Sequence, residues 1–149
     1  MALIDLVKEK IVRVPLVTTE KPDVLRELVQ TLRDAGEIED SHAVLQCVVE
    51  REAKFSTGLE GGVAIPHGKS DAVSSLKLAL GIAPQGIDFA SIDGEPSRLF
   101  FLLVAPPSQS GPHVEALATI VKLGRSQEFC RALTGAQDAR EVVDLIRGE

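Results

Sequence analysis

The run Arg98-Leu99-Phe100-Phe101-Leu102-Leu103-Val104-Ala105 constrains the fold more than any other stretch of the chain. It is continuously apolar, of strand length, and ended by Pro106-Pro107. A strand with one wet face would alternate polar and apolar residues, so an unbroken run predicts a central strand buried on both faces. Such a strand needs cover on each side. The chain supplies it, with amphipathic helical patterns both before and after this region. The prediction is an α/β fold, a three-layer α/β/α sandwich around a mixed sheet, with residues 1–149 as a single domain. That length suffices for one substantial core, and 44% apolar with 26% charged residues is the balance of an ordinary globular protein.

Taken in order, residues 2–7 predict a short helix and Ile11–Val14 a first strand ended by Pro15. A helix enters at 18–22 and buries Val24, Leu25, Leu28, Val29 and Leu32, with Gly36 just past its end. Asp40-Ser41 caps a second helix with Val44, Leu45, Val48 and Val49 on its inner face and Arg51 near its C-terminal end. Val63–Ile65 predicts a strand that Pro66 stops. Residues 75–82 alternate as a strand, and Pro84-Gln85-Gly86 and Asp93-Gly94 read as turns. After the apolar run, a helix is expected from near His113, burying Leu117, Ile120, Val121 and Leu123. Ser126 caps a shorter helix, and a last one from Asp138 buries Val142, Val143, Leu145 and Ile146.

A net charge of -6 makes nucleic acid and anionic membrane unexpected partners. The N-terminal residues carry neither a signal-peptide core nor a transmembrane run. Cys47 and Cys130 are far apart, without CxxC neighbours, which predicts reduced, buried thiols and a cytoplasmic location.

Three histidines carry the chemistry worth weighing: His42, His67 and His113. His42 falls in the first turn of a helix and is assigned no role. His67 lies in Thr57-Gly58-Leu59-Glu60-Gly61-Gly62-Val63-Ala64-Ile65-Pro66-His67-Gly68, a Gly-rich run, a short apolar strand, then an imidazole between Pro and Gly. His67 and His113 each follow the carboxyl end of a predicted strand, where ligands gather in open α/β sheets. If those strands are parallel neighbours, both rings reach one edge. His113 opens a helix whose free N–H groups favour an anion, and Arg51 ends the helix that leads into the His67 loop. Two imidazoles and a guanidinium suit a tetrahedral phosphoryl group: one ring attacks phosphorus, and the guanidinium pairs with its oxygens.

Arg51-Glu52, Ser56-Thr57-Gly58, Gly62-Val63-Ala64-Ile65-Pro66-His67-Gly68 and Gly111-Pro112-His113 together resemble the enzyme IIA family of the bacterial phosphoenolpyruvate-dependent sugar phosphotransferase system. The branch is the fructose/mannitol type, which includes nitrogen-regulatory IIA proteins, and the likeness covers nearly the whole chain. The resemblance implies a phosphotransferase component without cofactor or metal. His67 would accept a phosphoryl group from an HPr-type phosphocarrier and pass it to a cysteine of an enzyme IIB domain, or hold it as a regulatory mark. Arg51 and His113 would stabilise the phosphoryl group, and the Thr57 hydroxyl would bind one of its oxygens.

Glu60-Gly61 departs from the family, where Gly-Asn is common. A carboxylate beside the phosphoryl group would oppose it, so Glu60 is expected to face solvent, with Lys69 available to offset it. Two rivals stand against the carrier reading. One is a metal site from His67, His113 and Glu60 or Asp71. The other is a non-catalytic module acting by protein–protein binding, as the same fold does in cytoplasmic domains of anion transporters.

Overall fold

The computed structural model describes residues 3–148. Its centre is the predicted strand. The strands are β1 (Val12–Arg13), β2 (Val63–Ala64), β3 (His67–Lys69), β4 (Lys77–Ile87) and β5 (Ser97–Ala105). The helices are α1 (Lys21–Asp34), α2 (Ser41–Lys54), α3 (Ser110–Gly124), α4 (Gln127–Thr134) and α5 (Ala139–Arg147). Every residue of β5 except Arg98 is buried. β4 pairs with it antiparallel, from Lys77 opposite Val104 to Ile82 opposite Leu99. On its other side run β2 and β3, both parallel to it, and β1 lies outside β4, also parallel. The sheet is therefore mixed, as expected.

Helices cover both faces. Gly68 shows which lies where: a Cβ there would stand 2.9 Å from Cys47 Sγ and 3.4 Å from Val48 N, so this side of β3 is pressed against α2. The glycine is required by that approach. Side chains alternate along a strand, so His67 and Lys69 point the other way, toward α3. At the far end of α3 the packing is equally close, since a Cβ on Gly124 would come within 3.3 Å of Val63 Cγ2. α3 buries Ala116 and Ile120, and α4 and α5 continue that layer with Phe129, Leu133, Val142, Val143 and Ile146.

The predicted caps at Asp40 and Ser126 form, and Asp138, expected as the start of the last helix, caps it. Asp40 accepts from Ala43 N at 3.0 Å, Ser126 from Phe129 N at 3.2 Å and Asp138 from Glu141 N at 2.9 Å. Other expectations shift. Pro84-Gln85-Gly86 is not a turn between strands: β4 runs through it, with the register slipping between Ile82 and Ile87. Pro cannot donate to the ladder, and a bulge accommodates it. Val49 is 44% exposed because the next inward place on α2, one turn beyond Val48, goes to the buried Glu52. Val121 is also at the surface, since α3 turns His113, Ala116 and Ile120 inward instead. Leu3 is buried in a short 3-10 helix over Leu3–Leu6; residue 2 of that predicted helix lies outside the described residues.

Leu102 has no exposed surface and sits mid-way along β5. Leu102→Ala is expected to cost about 3 kcal/mol, from lost transfer energy plus the cavity left behind. Urea denaturation should show a lower midpoint at an unchanged slope.

Candidate functional site

Pro66 has no N–H to give, so the ladder between the edge strand and β5 is interrupted. Ile65 N turns aside and donates to Thr57 O at 3.0 Å, while Pro66 O accepts from Leu103 N at 3.0 Å. Pairing then resumes, with His67 opposite Leu103. His67 therefore does not lie beyond the end of the sheet, as its sequence position after Pro66 predicted. It opens β3 inside the interruption. The break has a chemical consequence: Ile65 O meets the His67 ring, 2.8 Å from Nδ1. A carbonyl only accepts, so in the neutral ring Nδ1 carries the proton and Nε2 the lone pair. Burial holds the His67 pKa below its usual 6.5, with Ile65 O and Glu52 opposing and Arg51 adding to the depression. The ring is a neutral base at neutral pH.

His113 stands beside it. The ring centroids are 5.4 Å apart and the planes cross at 80°, edge to face. α3 begins at Ser110 rather than at His113, so the imidazole occupies the end of the first turn and not the free N–H positions at the tip. It is 3% exposed, and its Nε2 makes no hydrogen bond among the described residues. Burial first, then the neighbouring His67 and Lys69, bring its pKa down to about 4. His113 is thus neutral in the folded protein, a residue of the shared cleft whose Nε2 is buried without a partner among the described residues.

Arg51 completes the trio. It is in the last turn of α2 and donates Nη1 to Phe55 O at 2.9 Å, closing a free carbonyl at the helix end. Arg51 also lines the cleft beside the two imidazoles, so its place at the helix end puts a guanidinium at the cleft wall. Cys47, Glu50, Arg51, Lys54, His67, Gly68, Lys69, His113, Val114 and Leu117 line this cleft, about 480 Å³ in volume.

Thr57 is not among them. It is buried, its hydroxyl donating to Glu52 Oε1 at 2.6 Å and its N–H to Glu52 Oε2 at 2.8 Å. The hydroxyl expected on a phosphoryl oxygen is given to a carboxylate. Glu52 is the residue that sequence reasoning passed over. Its Oε2 also pairs with Lys21 Nζ at 2.9 Å, and that ammonium reaches Phe89 O at 3.2 Å and sits 4.6 Å from the centre of the Phe89 ring. The carboxylate beside Arg51 ties the start of the Gly-rich loop to α1 and to the segment after β4. The signal available was the apolar spacing of α2, which places residue 52 inward.

Glu60 is exposed, as expected, and lines a separate hollow with Ile92, Val121 and Arg125. Asp71 borders another with Gly36 and Glu37. Neither carboxylate shares the cleft with the two imidazoles, and Lys69 stands at the cleft rather than beside Glu60. Gly61 has φ +77°, a left-handed backbone that Gly and Asn both adopt, which accounts for glycine in the place where asparagine is common. Among the described residues no group of three or more His, Cys, Asp or Glu side chains is placed to hold a metal, and no helix is long and apolar enough to cross a membrane. Cys47 and Cys130 are free thiols, half-buried rather than core, with burial pushing both pKa values up.

The family profile described as "Phosphoenolpyruvate-dependent sugar phosphotransferase system, EIIA 2" matches residues 5–148. The chain belongs to this family. It is 31% identical, over 98% of its length, to a PTS system fructose-specific EIIABC component of Bacillus subtilis, of which it spans 23%. It is 32% identical to a nitrogen regulatory protein of Bradyrhizobium diazoefficiens, covering 98% of this chain and 95% of that one. Among solved structures, the nitrogen regulatory protein IIA-Ntr from Neisseria meningitidis superposes with a TM-score of 0.89 at 25% identity, over 97% of this chain and 98% of that one. The Escherichia coli complex of IIA-mannitol with phosphorylated IIB-mannitol matches in fold, with a TM-score of 0.82 at 18% identity over 96% and 98% of the two chains.

In this EIIA domain His113 also ties stability to pH. The unfolded chain titrates it near 6.5, the folded one at about 4. Above 6.5 both states are neutral and the contribution is fully present. As pH falls below 6.5 the unfolded chain binds a proton that the folded chain excludes, so stability is lost down to about 4. The whole effect is roughly 3 kcal/mol. Urea midpoints measured from pH 7 to 4.5 should fall more steeply in the wild type than in His113→Gln.

Proposed function

We propose that this EIIA domain is a phosphoryl carrier, with His67 Nε2 as the accepting atom. The observation that carries the reading is the pair of imidazoles. One has its lone pair aimed by the Nδ1–H···Ile65 O bond, and the other presents a buried, unpartnered Nε2 across 5.4 Å between ring centres. In the proposed reaction the Nε2–P bond forms as the N–P bond of an HPr-type phosphohistidine breaks, and that bond's electron pair stays on the donor ring. Phosphoryl transfer asks the protein mainly for positioning and charge. Arg51 supplies the charge through its free N–H groups, and His113, as an Nε2–H donor, binds a phosphoryl oxygen. Thr57 acts through Glu52, holding the loop rather than the phosphoryl group. Onward transfer runs the same way: a thiolate of an enzyme IIB domain attacks phosphorus and the lone pair returns to His67.

Both outlets remain part of the proposal. Relatives carry names from fructose uptake and from nitrogen regulation. A phosphoryl group adds about -1.5 to -2 of charge, enough to switch a partner surface by itself. The carrier reading implies a cytoplasmic location, where such donors and acceptors would be met. Val114, 64% exposed at the rim of the cleft, and Phe55, 78% exposed where α2 ends, offer apolar anchors for a docking partner. Gly61 and Gly62 line other hollows, away from this surface.

Incubation with phosphoenolpyruvate, enzyme I and an HPr-type carrier should label His67, and His67→Gln should abolish the label. Arg51→Gln is expected to slow acceptance by roughly 10- to 100-fold, the worth of a charge-assisted hydrogen bond. His113→Ala should retain some acceptance and shorten the life of the phospho-form. A wild-type protein that stays unlabelled would defeat the carrier reading and leave the non-catalytic binding module in its place.

A further inference from the structure

Lys69 is two residues past His67 on β3, so its side chain leaves the strand on the same side, with Gly68 taking the opposite side against α2. Its Nζ donates to Ser110 Oγ at 3.0 Å, at the first residue of α3, and it lines the cleft with Arg51, His67 and His113. Among the described residues it forms no ion pair with a carboxylate. From this geometry we infer that Lys69 is a second cationic contact of the phosphoryl group, reaching it from the α3 wall while Arg51 reaches it from the α2 wall. The inference rests on the phosphoryl-carrier reading.

Charge balance supports it. A phosphoryl group brings close to two negative charges. His113 is held neutral by burial and by its cationic neighbour, so it offers a hydrogen bond and no charge. Arg51 alone leaves about one charge unmatched. Glu50 and Lys54 also line the cleft, both exposed on the last turns of α2, and their opposite charges offset one another. Lys69 is the cation whose field already reaches the second imidazole. Its present partner is a neutral hydroxyl, and a phosphoryl oxygen in that place adds the attraction between two opposite charges to the hydrogen bond. The Ser110 hydroxyl, which donates to Pro107 O at 3.2 Å, keeps that bond when the ammonium leaves.

Phosphoramidate tests this without any partner protein. The N–P bond of phosphoramidate breaks, the His67 Nε2–P bond forms, and ammonia leaves with a proton taken from water. Wild type, Lys69→Gln, Lys69→Arg and Lys122→Gln are compared; the last removes an equal charge from the exposed end of α3. The labelling rate of His67 should fall roughly tenfold in Lys69→Gln, recover in Lys69→Arg and stay at the wild-type level in Lys122→Gln. On the phosphorylated proteins, a 31P titration should give a higher phosphoryl pKa in Lys69→Gln than in wild type, with Lys69→Arg restoring it. A lysine that serves only to dock a protein, or only to hold Ser110, would move neither reading. Labelled wild type with an unchanged rate and phosphoryl pKa in Lys69→Gln overturns the assignment to Lys69 alone. Wild type that phosphoramidate leaves unlabelled at His67 overturns the carrier reading and this inference with it.

Discussion

The site depends on one carbonyl. Ile65 O is available to the His67 ring because Pro66 cannot continue the ladder and Ile65 N has turned away to Thr57. In an uninterrupted strand the side chain at 67 would stand off the sheet with its own backbone engaged on both sides. The break gives the imidazole a fixed acceptor within its own chain, two residues back. That bond sets the tautomer, and the tautomer leaves the lone pair on Nε2, the atom proposed to accept the phosphoryl group. The depressed pKa keeps that nitrogen unprotonated.

Around this bond the remaining groups come from separate elements that meet only through β5. His67 and Lys69 ride on β3, which pairs with its C-terminal half. His113 is on α3, packed on the same sheet face. Arg51 comes from α2, which lies on the opposite face and reaches the cleft past Gly68. The glycine lets α2 approach closely enough for its last turn to border the cleft. Glu52 then anchors the loop that follows, pairing with Lys21 and accepting both Thr57 donors. Breaking that buried group would strand an ammonium and two polar donors, so Glu52 holds the loop that leads from α2 toward β2.

Sequence patterns reveal most of this where a single physical rule decides. The unbroken apolar run locates the central strand because no wet strand tolerates it. Asp40, Ser126 and Asp138 locate helix starts because exposed N–H groups need acceptors. That Arg51, His67 and His113 share one cleft is legible in the sequence, although His67 reaches it from inside the sheet rather than from beyond a strand end. What sequence leaves hidden is decided by partners distant along the chain. Pro84 and Gly86 spell a turn locally, yet pairing with β5 carries β4 through them as a bulge. The Thr57 hydroxyl looks free until Glu52, five residues earlier, claims it. Lys69, expected to offset Glu60, is turned by β3 parity to the His67 cleft instead. α3 starts three residues before His113 because Pro112 is tolerated within a first turn, which a reading of Pro as a loop residue misses.

The most direct measurement is 15N NMR of the protein labelled at histidine, before and after phosphorylation. The account predicts that at neutral pH His67 shows a protonated Nδ1 and an unprotonated Nε2, and that the phosphorylated ring shows nitrogen–phosphorus coupling at Nε2. A His67 protonated at Nε2, or phosphorus bonded to Nδ1, would contradict it.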